Sequence, residues 1–235
     1  MLKWYEENVP DSDVVISSRV RLARNLEDFK FSPLLEEQDA VKLVEKVKSI
    51  TPILSEKDNR KYYACNIQSL SDIDKAAMVE RHIVSPLLAE KEQTTGLILS
   101  EDETVSIMIN EEDHVRIQAI VGGMNLEKAY EIANNIDDIA YESLKFAYDE
   151  KYGYLTSCPT NSGTGMRASC MVFLPALSAA RMIQKLFEEV GRYGVTIRGI
   201  YGEGTKSLGS IYQISNQKTL GNSEMEIIEN LKSIV

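Results

Sequence analysis

Asn110-Glu111-Glu112-Asp113-His114-Val115-Arg116 puts three acids, a histidine and an arginine between two alternating apolar runs. Val105, Ile107 and Ile109 precede it, and Val115, Ile117 and Ala119 follow it, which is the period of half-buried strands. The acids therefore lie at a strand-to-strand connection. Two neighbouring carboxylates at the rim of a sheet can hold and deprotonate a cationic nitrogen, because charge, hydrogen bonding and burial decide which of them stays ionised. Arg116, a fixed cation a few residues on, suits phosphate. Taken alone, the same turn reads first as a solvated acidic loop, and only the rest of the chain can overturn that.

Working outward on the amino-terminal side, residues 96–100 and 104–109 are joined by Glu101-Asp102-Glu103, a hairpin pattern that implies antiparallel pairing. Residues 62–67 read as a further strand and residues 72–79 as a short helix that leads to His82. A histidine in such a place reads as a structural group with local partners as readily as a ligand contact. Ser32-Pro33 opens a helix in which Ala40, Val44, Val47 and Thr51 recur at helical spacing. Earlier still, residues 13–24 begin as a strand that carries Arg19 and Arg21 two apart, hence on one face. Two guanidinium forks side by side match a polyanion such as a triphosphate, although an exposed basic edge would look the same. Arg24 reads as a surface charge or as a third member of the group.

On the carboxy-terminal side, Gly122-Gly123 break a strand and Asn125 is placed to cap a helix running to about Glu150. Residues 152–171 form a loop rich in Gly, Ser and Thr that lets backbone amides approach an anion, but without the lysine and spacing of a P-loop. Cys158 stands in this loop before Pro159, either as a reactive thiolate or as a small buried hydrophobe. Arg167 begins a strand, with Cys170 in its core. A helix starts at Pro175 with Ser178, Met182, Leu186 and Val190 at spaced positions. A strand from Val195 then runs into a second glycine-rich loop with Arg198 and Glu203 near its mouth. A strand near residues 210–214 and a capped amphipathic helix from Ser223 close the chain.

Composition bounds the function. The 235 residues, 43% hydrophobic and 26% charged, are those of one globular domain, and no apolar run reaches the length of a membrane span. The net charge of −10 argues against general nucleic-acid binding, which needs a basic face. Cys65, Cys158 and Cys170 fit no metal spacing and cannot all pair, in keeping with a reducing, cytoplasmic setting. The amino terminus lacks the apolar core of a signal peptide. No dedicated metal-ligand cluster is evident, so no metal-ligating residue is assigned.

Taken together, Ser17-Ser18-Arg19-Val20-Arg21, Asn110 to Arg116, Cys158 to Gly165, Arg167-Ala168-Ser169 and Arg198-Gly199 resemble the catalytic domain of the phosphagen (guanidino) kinases. Within that superfamily the bacterial protein arginine kinases are the most similar, through residues 17–25, 165–169 and 198–204. The resemblance implies an α+β fold, an antiparallel β-sheet flanked by helices, and a single catalytic domain over residues 1–235. It also implies that the helical C-terminal domain usual in the family is absent from this chain, and that the front helical domain of the small-metabolite kinases is absent too.

It implies roles as well. Glu112 would be the base for a guanidinium, supported by Glu111, with Cys158 and Glu203 facing the same group. The nucleotide would be held by Ser17, Ser18, Arg19, Val20, Arg21, His82, Arg116, Arg167, Ala168, Ser169, Cys170 and Met171, and by Arg198, Gly199, Ile200, Tyr201, Gly202 and Glu203. ATP with Mg2+ would be the phosphoryl donor and arginine side chains of proteins the acceptors. A zinc-binding activator and a Clp ATPase would be partners in a stress response. A kinase of free arginine or another small guanidino compound, and an inactive adaptor for a Clp-type protease, are the alternatives.

Overall fold

The computed structural model describes residues 2–7, 9, 12–199 and 209–235. Its strands are β1 (Val15–Arg24), β2 (Tyr62–Asn66), β3 (Gly96–Ser100), β4 (Val105–Ile109), β5 (Val115–Gly122), β6 (Tyr148–Asp149), β7 (Gly153–Tyr154), β8 (Met166–Phe173), β9 (Val195–Arg198) and β10 (Ile211–Asn216). Eight of them form one sheet in the order β2-β3-β4-β5-β1-β8-β10-β9, and every neighbouring pair is antiparallel. β6 and β7 form a separate small hairpin. The helices are α1 (Glu37–Lys48), α2 (Thr51–Lys57), α3 (Asp72–Glu80), α4 (Pro86–Glu90), α5 (Leu126–Tyr141), α6 (Pro175–Ala179), α7 (Ile183–Gly191) and α8 (Glu224–Ile234).

Side-chain alternation gives the sheet two unlike faces. One is apolar: Val20 and Leu22 of β1, Ile117 and Ala119 of β5, and Ala168 and Cys170 of β8 are buried together with Leu126, Ala129, Ala133 and Ile136 of α5. Those four α5 positions recur at helical spacing, so one stripe of the helix lies across β1 and β5. Each large apolar side chain enclosed in this way stabilises the fold by roughly 1.5–3 kcal/mol. The opposite face carries Arg19, Arg21, Arg116, Arg167 and Arg198. The amino-terminal half of that face is roofed by a second, smaller apolar cluster that includes Ile67, Ile83, Leu88, Leu97 and Met108.

Three helix boundaries differ from the reading of the sequence. Ser32–Leu34 is only a single 3-10 turn, and α1 starts at Glu37 after the extended Leu35 and Glu36. α5 stops at Tyr141, because residues 142–147 turn back to pair beside β1, where Leu26 bridges Phe146 and Ala147 N–H donates to the Asn25 carbonyl. Asn125 does not cap α5 with its side chain, which donates to the Gly122 carbonyl instead. The helix from Pro175 is broken into α6 and α7 by Arg181 in the left-handed region, φ 56°. The capping box at Ser223 and Glu226 is present, as the sequence predicts.

Candidate active site

The acidic turn is built by its own backbone. Asn110 takes a left-handed φ of 59°, its N–H donates to the His114 carbonyl at 2.9 Å, and Glu111 N–H donates to the Asp113 carbonyl at 3.1 Å. The Asn110 side chain anchors the turn to the residues before β3, donating to the Thr94 carbonyl at 2.8 Å. Lys91 Nζ clamps the outside, donating to the carbonyls of Asn110 and Glu111 at 2.8 and 2.9 Å. Asp113 and His114 point inward. Asp113 Oδ1 accepts from Asn25 Nδ2 and from Ser157 N–H, both at 2.7 Å, so it ties the turn to the residue before Cys158. His114 Nδ1 accepts from Leu26 N–H at 3.0 Å and its Nε2 donates to the Lys30 carbonyl at 2.9 Å. Burial pushes the His114 pKa down, in line with a neutral structural imidazole.

The two glutamates divide. Glu111 has a 1% exposed side chain held by Arg116 Nη1 at 2.5 Å and by the hydroxyl of Ser85, the residue that caps α4. Glu112 is 38% exposed, meets Arg116 Nη2 at 3.1 Å, and lines a cavity of about 630 Å3. Of these two carboxylates Glu112 opens into the cavity, with Glu111 behind it fixing Arg116.

The floor of that cavity is the arginine face. Arg21 stands directly opposite Arg167 of β8 and Gln118 of β5, Arg116 pairs with Ala23, and Arg198 pairs with Gln213. Like charges opposite one another across strands are destabilising, and no carboxylate of the ladder separates these. The electrostatics register the crowding. Burial lowers the Arg19 pKa to about 10, with Arg116 and Arg167 adding to the effect. Arg21 is lowered well below the ordinary value by burial, then by Arg19, Arg116 and Arg167. Arg21 Nε is buried with no hydrogen-bond partner among the described residues. Such a surface is completed by an anion with several oxygens.

The rim is supplied by loops. His82, left-handed at φ 60°, has its pKa lowered to about 4 by burial and by Arg19, so it is neutral at physiological pH. Its carbonyl accepts from Gln118 Nε2 at 2.8 Å. Cys158 lines the cavity, its sulfur 2.9 Å from Thr160 Oγ1. The loop that carries it passes close to other backbone, and a Cβ at Gly163 (φ 103°) or Gly165 (φ 65°) would meet the carbonyl oxygens of Thr219 and Ala23 at 2.7 and 2.6 Å.

The structure does not bring every predicted residue to this cavity. Ser18, Val20, Ala168 and Cys170 alternate to the apolar face, where the Ser18 hydroxyl donates to the Gly123 carbonyl and Cys170 packs in the core. Their side chains are structural neighbours of the site and not its lining. Ser17, Ser169 and Met171 lie along a narrow extension beside Arg19. Gly199 is buried just beyond β9, while Ile200, Tyr201, Gly202 and Glu203 fall outside the described residues. Arg24 is no surface charge. It is 3% exposed and paired with Asp137 of α5, Nη2 to Oδ2 at 2.7 Å.

Reading the sequence missed Gln118 and Gln213, which line the cavity between the arginines. Alternation from Arg116 would have placed Gln118 on this face. Asn25, Asp113 and Ser85 carried no comparable signal, because their partners are far away in the chain.

No group of three or more His, Cys, Asp or Glu side chains that could hold a metal ion occurs among the described residues. Nor is any helix among them long and apolar enough to cross a membrane.

Comparison with known proteins places the fold in a family. Residues 42–235 match the family model of the ATP:guanido phosphotransferase C-terminal catalytic domain. β1, with Arg19 and Arg21, precedes the matched part. The protein-arginine kinase of Caldanaerobacter subterraneus subsp. tengcongensis is 47% identical over 224 residues, covering 95% of this chain and 66% of that one. The protein-arginine kinase of Clostridium acetobutylicum is 46% identical over 235 residues, covering 100% and 69%. This chain thus spans about two thirds of the length of the curated relatives it matches. Among solved structures, the duplicated taurocyamine kinase of Schistosoma mansoni with bound transition state analog components superposes with a TM-score of 0.86 at 27% identity, covering 100% of this chain and 33% of that one. Lombricine kinase, 23% identical and with a TM-score of 0.80, covers 99% of this chain and 66% of that one and shares the fold. The chain belongs to the ATP:guanido phosphotransferase family, through its C-terminal catalytic domain.

Proposed function

We propose that this chain transfers the γ-phosphoryl group of ATP to the guanidino nitrogen of arginine side chains in proteins. The observation that carries the reading is one cavity in which five arginines of a single sheet face meet Glu112 and Cys158. Arginine is protonated in water, since its pKa exceeds about 12, so its nitrogen is a poor nucleophile until a carboxylate removes a proton. Glu112 takes that proton, the freed nitrogen forms the N–P bond, and the P–O bond to ADP breaks. Arg19, Arg21, Arg116, Arg167 and Arg198 hold the phosphate oxygens in line, which is most of what phosphoryl transfer asks of a protein. His82 borders the nucleotide. Cys158 and Glu203 contact the guanidinium.

A cavity of about 630 Å3 suits a nucleotide. Mg2+, ligated chiefly by the phosphates it accompanies, supplies further neutralisation of their charge when bound. Protein-borne arginine as acceptor follows the names of the relatives that are 43–47% identical. The kinases of small guanidino compounds stand at 23–27% identity. A cytoplasmic setting agrees with three free cysteines. A zinc-binding activator and a Clp ATPase are the partners we would look for in that setting.

The test offers ATP–Mg2+ with an unfolded arginine-containing protein and with free arginine, scored as acid-labile phosphate. Label on the protein is expected. Label on free arginine alone would move the chain to the small-metabolite kinases, and label on neither would leave the adaptor reading.

A further inference from the structure

A second cavity, of about 520 Å3, lies behind the loop that carries Cys158. Its walls are Tyr141 at the end of α5, Tyr148 of β6 and Tyr154 of β7, with Glu224 at the start of α8. Tyr141 and Tyr148 are 63% and 57% exposed, so much of each ring is open to a ligand. Tyr148 and Tyr154 meet edge to face, with centroids 5.3 Å apart at 75°, and so form two walls of a corner. Glu224 makes no ion pair or side-chain hydrogen bond among the described residues. The Ser223–Glu226 capping box engages the amides of Ser223 and Glu226, and the Glu224 carboxylate brings a negative charge to the cavity wall.

One wall of the corner already meets a guanidinium. The Arg24 guanidinium lies over the Tyr154 ring with its central carbon 3.4 Å from the ring centroid, and Asp137 neutralises it by accepting from its Nε and Nη2. Tyr148, Tyr141 and Glu224 bring the same kinds of group, aromatic rings and a carboxylate, to the walls of the cavity. Rings attract cations through their quadrupole, most strongly where water is partly excluded, and a carboxylate adds charge-assisted hydrogen bonds.

We infer that this tyrosine-walled cavity is a second guanidinium site, which holds an arginine side chain of a protein while another arginine occupies the catalytic cavity. The inference rests on the proposed kinase activity only in naming a protein as the bearer. Two weak sites on one flexible chain raise the effective concentration of the second arginine at the first. The two cavities share one loop: Tyr154 N–H donates to the Gly163 carbonyl at 2.8 Å behind it, and Cys158 fronts the catalytic side.

The test labels the full chain with meta-fluorotyrosine and titrates Nα-acetyl-arginine amide without nucleotide, following the fluorine resonance assigned to Tyr148 by its absence in Tyr148→Phe. A saturable shift is expected, weakened by at least about tenfold in Glu224→Gln and in Tyr141→Leu, both of which keep the Tyr148 resonance. In a kinase assay both variants should raise KM for an unfolded protein and leave kcat, and KM for arginine amide, unchanged. An unmoved Tyr148 resonance, or equal affinity for Nα-acetyl-lysine amide, would overturn the assignment. Because the titration contains no ATP, a chain that phosphorylates protein without the shift loses only the second site. A chain that shows the shift without phosphorylation loses only the kinase reading. Circular dichroism of both variants guards against misfolding, and Glu224→Gln keeps the shape of a side chain outside the core.

Discussion

The two faces of the central sheet treat arginine in opposite ways. On the helix-packed face, Arg24 is enclosed and completed internally: Asp137 accepts its Nε and Nη2 at 3.0 and 2.7 Å, and the carbonyls of Ala23 and Thr164 accept its Nη1 at 2.9 and 3.1 Å. On the cavity face, Arg19, Arg21 and Arg167 crowd one another, and Arg116 meets the carboxylates of Glu111 and Glu112. A buried cation with its own anion serves the fold. Arg21, whose buried Nε has no hydrogen-bond partner among the described residues, and Arg19 beside it form a surface whose electrostatics are completed by a ligand.

Several measurements can break this contrast. The largest stability effect is expected on the helix-packed face: Asp137→Ala strands the Arg24 charge and should cost about 3–5 kcal/mol in urea unfolding. A loss under 1 kcal/mol would mean that Arg24 reaches water. On the cavity face a ligand should do what Asp137 does inside. ATP at a hundred times its Kd should add about 2.7 kcal/mol of stability, read as a rise in Tm, and removing Arg21 should abolish most of that rise.

Acid should act through His82. Its folded pKa of about 4 lies below the ordinary 6.5, so the unfolded chain binds more protons between those values. Its contribution to stability is complete above pH 6.5 and falls away as pH drops towards 4. His82→Asn should flatten the decline between pH 6.5 and 5 by about 1 kcal/mol. An unchanged slope would place the His82 ring in solvent.

The smallest effect is expected for Arg21→Met without ligand. Relief of repulsion offsets lost packing there, so stability should change by less than about 1 kcal/mol while nucleotide affinity falls. A loss as large as that of Asp137→Ala would give Arg21 a structural role and erase the difference between the faces.

The cavity face was legible in the sequence because strand alternation is a local rule. Arg19 and Arg21 share a parity, and Glu111 and Glu112 fall in a turn between two period-two runs. The same rule, carried three residues on, puts Arg24 on the other face, but its partner Asp137 lies 113 residues away and has no sequence signal. The split between a sealed Glu111 and an open Glu112 depends on Ser85 and Arg116 closing over one carboxylate, a tertiary fact. The end of α5 was misplaced because residues 142–147 keep a helical composition yet gain more by pairing beside β1. The breadth of the predicted nucleotide set had the same origin: whole motifs were assigned, and alternate residues of each strand, such as Val20 and Ala168, face the core.

The proposed reaction divides between a donor side made of arginines and an acceptor side made of Glu112. The most direct measurement is the nucleotide Kd and the rate of protein phosphorylation in Glu112→Gln, which keeps the size of the side chain. The expected result is an unchanged or slightly tighter Kd with turnover reduced by about a hundredfold or more. Turnover near that of the parent chain would remove Glu112 as the base, and loss of nucleotide binding with it would show that the two sides are not separate.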